Sequence, residues 1–172
     1  MTTQTITPSE QGRLRTLNLG AAALHLVQAI AVVVLATDFA LPITASYLAG
    51  PPGTPPGPAT VLVDLPTGLA VAGFLFLCFL AHLIVGTVWF RNYIGDLSRQ
   101  INRARWVEYS FSSTLMIVVI AQLVGITDVT ALIGICGANV SMILFGWLQE
   151  KYEQAGKGGW LPFIFGCIAG AV

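Results

Sequence analysis

Charged side chains are what this chain has least of: Asp, Glu, Lys and Arg make up 9% of its 172 residues. A soluble domain carries roughly 25%, so a surface facing water on all sides is excluded. The 55% of hydrophobic residues gather into continuous runs of about 18–20, the length that crosses a bilayer. Net charge is lacking as well. With 8 basic and 8 acidic residues the chain has no broad electrostatic pull on nucleic acid, and no such partner is expected. Cysteine is sparse: Cys78, Cys136 and Cys167 lie inside apolar runs without metal-ligand spacing and read as small buried apolar side chains. No metal site is expected. No phosphate loop or nucleophilic triad is present either, so no enzyme is expected. No cleavable leader is expected: a mostly polar tail precedes the first apolar run, which reads as a retained helix rather than a signal core.

What remains is an all-α, multi-pass membrane protein of the cell membrane, a single membrane domain in a lipid bilayer. The apolar runs predict helices at about 17–36, 68–90, 105–126 and 129–148, the third with a start that reaches back into the amphipathic GDLSRQINRA. A last apolar stretch, 159–172, spans roughly 21 Å at about 1.5 Å per residue, short of a hydrocarbon core of about 30 Å. It reads either as a re-entrant piece or, the favoured reading, as the start of a fifth helix in a fragment of a longer protein.

Lysine and arginine give the topology. Arg13 and Arg15 precede the first helix; Arg91, Arg99, Arg103 and Arg105 join the second and third; Lys151 and Lys157 join the fourth and fifth. All fall on one side, while Asp38, Asp64 and Asp128 fall on the other. The positive-inside rule then predicts a cytoplasmic N-terminus. The first external loop, 37–67, is long for a compact membrane domain. Its five prolines within Pro51–Pro58 exclude helix, and Val61, Leu62 and Val63 suit a short strand. The loop is either a solvated spacer or a β-containing cap over the helix ends.

The third helix opens with RWVEYSFSSTLM. At about 100° per residue, Arg105, Glu108, Tyr109, Ser112, Ser113 and Met116 fall on one stripe, with Val107, Phe111, Thr114 and Val118 opposite. Ionisable groups inside a membrane face a bundle interior, a partner or water. Glu108 is therefore either the i, i+3 partner of Arg105 or a carboxylate awaiting a buried cation or proton. Histidine occurs only twice, at His25 and His82. Each lies about 14–15 Å in from the nearest arginine on its helix at about 1.5 Å per residue, so the two are level. With Gln28 one turn from His25, they predict a polar cluster able to exchange protons near neutral pH. The fourth helix adds Gly134, Gly137, Ala138, Asn139 and Ser141, which read as helix packing with a cross-helix amide bond.

RWVEYSFSSTLM, together with His25, His82, Asn139 and the long first external loop, resembles the heliorhodopsins, seven-helix retinal proteins distantly related to the microbial rhodopsins. The resemblance spans the chain and implies a rhodopsin-like bundle with a cytoplasmic N-terminus and a β element in the first loop. It implies all-trans retinal, bound through a Schiff base to a lysine on helix seven, with Glu108 as counterion. It places Tyr109, Ser112, Ser113, Met116 and Asn139 around the chromophore, and His25 and His82 in a proton-accepting cluster. It also implies a photoreceptor with a signalling or regulatory role rather than an ion pump, and a homodimer. The departure is that Lys151 and Lys157, the only lysines, lie between the fourth and fifth helices. The chain as it stands is then expected to be photochemically inert. Rival readings are a small proton-coupled transporter or channel using Glu108, His25 and His82, and a structural membrane fragment.

Overall fold

The computed structural model describes residues 5–171 apart from 154, 155 and 157. Four helices are long and apolar enough to cross a membrane: α1 (Pro8–Leu35), α2 (Thr67–Gly86), α4 (Arg103–Leu123) and α5 (Val129–Tyr152). Between α1 and α2 lie strands β1 (Ala40–Ala45) and β2 (Thr60–Pro66); a short α3 (Phe90–Leu97) joins α2 to α4, and α6 (Leu161–Gly170) follows α5. The neighbours in space are α1 with α2, α2 with α4, α4 with α5 and α5 with α6. The architecture is that of a rhodopsin-like bundle, with four spans and a further short apolar helix among the described residues. Val172, the last residue of the predicted fifth segment, and Lys157 lie outside the described residues.

Local chemistry sets the helix limits. α1 begins nine residues before the apolar run because Thr7 and Glu10 form a reciprocal capping box with Pro8 in the first turn. Apolar periodicity runs on to Phe90, yet α2 stops at Gly86. There the Gly86 carbonyl accepts from Arg15 Nε at 3.0 Å and the Thr87 hydroxyl donates to the Leu83 carbonyl. Carbonyls that a longer helix would use are taken, and the chain turns into α3. Consequently α3 is a helix of its own, not the beginning of α4. The carboxamide oxygen of Asn102 starts α4 by accepting from the Arg105 backbone N–H. Gly125, at φ +95°, lets the chain leave it in a left-handed turn. Asp128 caps α5. Its carboxyl is held below the usual range, chiefly by the Thr130 hydroxyl and next by the Ala131 N–H. α5 runs to Tyr152, so Lys151 and Glu150 belong to its last turn and not to the following connection.

The long loop is a cap with β structure. β1 and β2 pair antiparallel, with a register break between Ile43 and Thr44, and the proline-rich tip turns at Gly53. The hairpin is attached to the bundle: the Thr44 N–H donates to the Thr127 carbonyl at 2.8 Å. The buried amide of Gln122 donates to the carbonyls of Leu41 and Pro42. Asp38, Asp64 and Asp128 share this end of the molecule, and the arginines cluster at the other.

Candidate functional site

The site lies on the arginine-bearing half, where α1, α2 and α4 meet. α1 approaches α2 closely at Gly86, where an added Cβ would stand 3.0 Å from Leu19 and 3.5 Å from Asn18. Two successive rungs bridge the seam. Arg15 Nε donates to the Gly86 carbonyl, and one turn deeper His82 Nδ1 and Asn18 Oδ1 lie 3.0 Å apart. Asn18 Nδ2 already donates to the Leu14 carbonyl. Its oxygen is thus the acceptor, and His82 carries its proton on Nδ1, leaving Nε2 as a base. The His25 ring stacks on that of His82, centroids 5.6 Å apart and planes 14° apart, while its own Nδ1 faces Gln28 Oε1 at 3.2 Å. The two level histidines are therefore in contact.

Glu108 sits across from them on α4. Its Oε1 accepts from the Cys78 thiol at 3.2 Å, and among the described residues it makes no ion pair. Arg105, the expected i, i+3 partner, turns the other way. It donates to Glu150 Oε1 at 2.6 Å, while the Asn102 N–H and the Trp106 indole share Glu150 Oε2 at 2.8 and 2.5 Å. The cause is placement: the last turn of α5 brings one carboxylate beside three donors on the first turn of α4. This bond set requires Gly146, since a Cβ there would stand 2.5 Å from two Trp106 ring carbons. Gly146→Ala is expected to cost about 1–3 kcal/mol through overpacking, measured as a lower thermal midpoint.

A cavity of about 170 Å³ joins these groups, lined among others by Asn18, His82, Tyr93, Asn102, Arg105 and Glu108. Tyr109 also lines it, with Ser112 buried one turn beyond Glu108. Ser113 turns to α5 instead: Asn139 Nδ2 lies 2.9 Å from both Ser113 Oγ and Thr114 Oγ1. The single stripe predicted on α4 is thus divided between two neighbours, and Thr114, placed on the apolar side, joins the α5 contact. Met116 is partly buried farther along α4. Of the small residues on α5, Gly134 and Gly137 face open space rather than a packed helix. Among the described residues no group of His, Cys, Asp and Glu is arranged to hold a metal ion.

Cys78 and Asn18 are the residues that sequence reading passes over. Cys78 is no inert filler, since its thiol is the side-chain donor to Glu108. Asn18 carried a readable signal, an amide about two turns before His25 in the same run.

Four apolar spans enclosing a carboxylate and two stacked histidines define a multi-pass membrane protein with an ionisable interior. The heliorhodopsin family profile matches residues 14–172, and the chain belongs to the heliorhodopsin family. No curated protein matches it.

Proposed function

We propose that this chain is part of a light-sensing membrane protein that binds all-trans retinal, with Glu108 as the counterion of the bound chromophore. The observation that carries the reading is the unpaired carboxylate. Among the described residues Glu108 has one weak thiol donor and no cation, while the nearest arginine on its own helix is held elsewhere. A charge left so inside a bundle is costly unless a cation balances it, and the protonated imine of a bound retinal is such a cation. The residues present fit the group on this side. The anchor is a different matter: Lys151 sits exposed in the last turn of α5, so we place the anchoring lysine outside these 172 residues.

Bound retinal supplies light absorption and isomerisation. The protein supplies the rest. Glu108 holds the negative charge, and His82 Nε2, its proton-bearing Nδ1 fixed by Asn18, takes up a proton on the same side of the bundle, with His25 stacked beside it. Ser112 and Tyr109 flank Glu108; Ser113, Asn139 and Met116 line the adjoining wall. The arginine-bearing end faces the cytoplasm and the hairpin faces outward, in keeping with positive-inside bias. The role is signalling or regulatory and not enzymic, in a protein that forms a homodimer.

Expression of the full-length protein with all-trans retinal tests this: a visible absorption band is expected. No band, with Glu108-dependent proton flux in liposomes, would replace the photoreceptor by a proton-coupled transporter, a reading the polar cavity at Glu108 and His82 favours next. Cys78 gives a finer check. A hydroxyl is a stronger donor than a thiol, so Cys78→Ser binds the carboxylate more firmly and weakens its hold on the cation. A difference of about 1 kcal/mol moves the band on the order of 10 nm to longer wavelength, and Cys78→Ala moves it the opposite way.

A further inference from the structure

We infer that Arg15 and Arg91 form a seat for the headgroup of an anionic phospholipid, at the corner where α1 meets the α2–α3 turn. The inference needs only that the helices span a membrane and is independent of retinal. On the arginine-bearing rim, Asp96 pairs with Arg99 and Arg103 at 3.0 and 2.7 Å, and Glu150 pairs with Arg105. Arg13, Arg15 and Arg91 meet no carboxylate among the described residues. Arg15 is nevertheless held in place by neutral groups: Nε on the Gly86 carbonyl and the guanidinium carbon 5.5 Å from the Phe90 ring centroid. Such partners orient the guanidinium without cancelling its charge, and its two Nη groups make no hydrogen bond among the described residues. Arg91 follows Phe90 directly and is exposed. The second cation thus leaves α3 one residue after the ring that orients Arg15.

The apolar surroundings select a lipid over a free anion. Val88 in the same turn is 85% exposed, and Ile84 just before it 46%, apolar side chains for acyl contact beneath a phosphate held by the guanidiniums. The seat also reaches the polar cluster. Arg15 is one turn from Asn18, and Gly86 one turn from His82, so a headgroup that steadies the first rung of the α1–α2 seam steadies the second.

The test uses the full-length protein in nanodiscs of phosphatidylcholine with graded phosphatidylglycerol, reading the thermal midpoint and the relative association of the two lipids. The midpoint is expected to rise with phosphatidylglycerol. Arg15→Gln and Arg91→Gln should each lower the preference about fivefold, the share of one basic residue near an anionic surface. Arg91→Gln removes no hydrogen bond or ion pair among the described residues and serves if Arg15→Gln fails to fold. Arg13, about 200° around α1 from Arg15, supplies the contrast, and Arg13→Gln should leave the preference unchanged. Equal losses in all three variants would mean diffuse surface charge, and an equal rise from inorganic phosphate in neutral detergent would mean a free-anion site. Either result, or no dependence on phosphatidylglycerol, overturns the seat.

Discussion

Glu108→Gln, in the full-length protein carrying retinal, should lower by about 1–3 units the pH above which the visible band is lost. The sign follows from charge. A carboxylate within about 4–6 Å of a protonated imine favours the charged form, and the isosteric amide removes that help while keeping the shape. The band itself should move to longer wavelength, because the positive charge is no longer held at the imine end. The structure adds the reason for a large effect. With Glu150 taken up by Arg105, and His82 carrying its Nδ1 proton toward Asn18, no second carboxylate among the described residues stands ready to replace Glu108. Titration of absorbance against pH in wild type and variant measures it. An unchanged band-loss pH would remove Glu108 from the counterion role.

How much of this was legible in sequence depends on the range of the interaction. Hydropathy alone locates four spans, because burying an apolar run in lipid needs no partner. Depth arithmetic on His25 and His82 works for the same reason: a helix rise is local. The strand at Val61–Val63 is readable between prolines. Its partner β1 is not, because Pro42 argues against a strand until the sheet has only two members and both are edges. The start of α1 was readable in Thr7-Pro8-Ser9-Glu10, a capping box outside the apolar window. The fate of Arg105 was not. A local i, i+3 rule names Glu108, whereas the bond goes to Glu150, 45 residues on, and only the packing of α4 on α5 brings that carboxylate near. Cys78 was obscured by its residue type, since a thiol among Leu and Phe reads as volume. The candidate site was therefore visible as a set of residues, and its pairings were not.

The same long-range pair yields the second large expectation. Glu150→Gln should destabilise the protein by about 2–3 kcal/mol, below the 3–5 typical of a fully buried broken pair, because Arg105 and Glu150 side chains keep 40% and 23% exposure. One carboxylate serves three donors, and an amide offers a single oxygen while turning its own N–H groups toward Arg105. The released guanidinium has one carboxylate within reach on its own helix face, Glu108, three residues along. Pairing there would neutralise the charge that Glu108→Gln deletes. In the retinal-bound protein, Glu150→Gln should therefore lower the band-loss pH in the direction of Glu108→Gln, by a smaller amount. Trp106→Phe separates this from a general loss of packing. It removes the indole bond to Glu150 and the ring atoms packed on Gly146, costs on the order of 2 kcal/mol, leaves the Arg105–Glu150 pair in place, and should not move the band-loss pH. If both variants destabilise and neither alters that pH, Glu150 is a structural clamp alone; if Glu150→Gln shifts it and Trp106→Phe does not, the clamp on α5 is what keeps the counterion on α4 free.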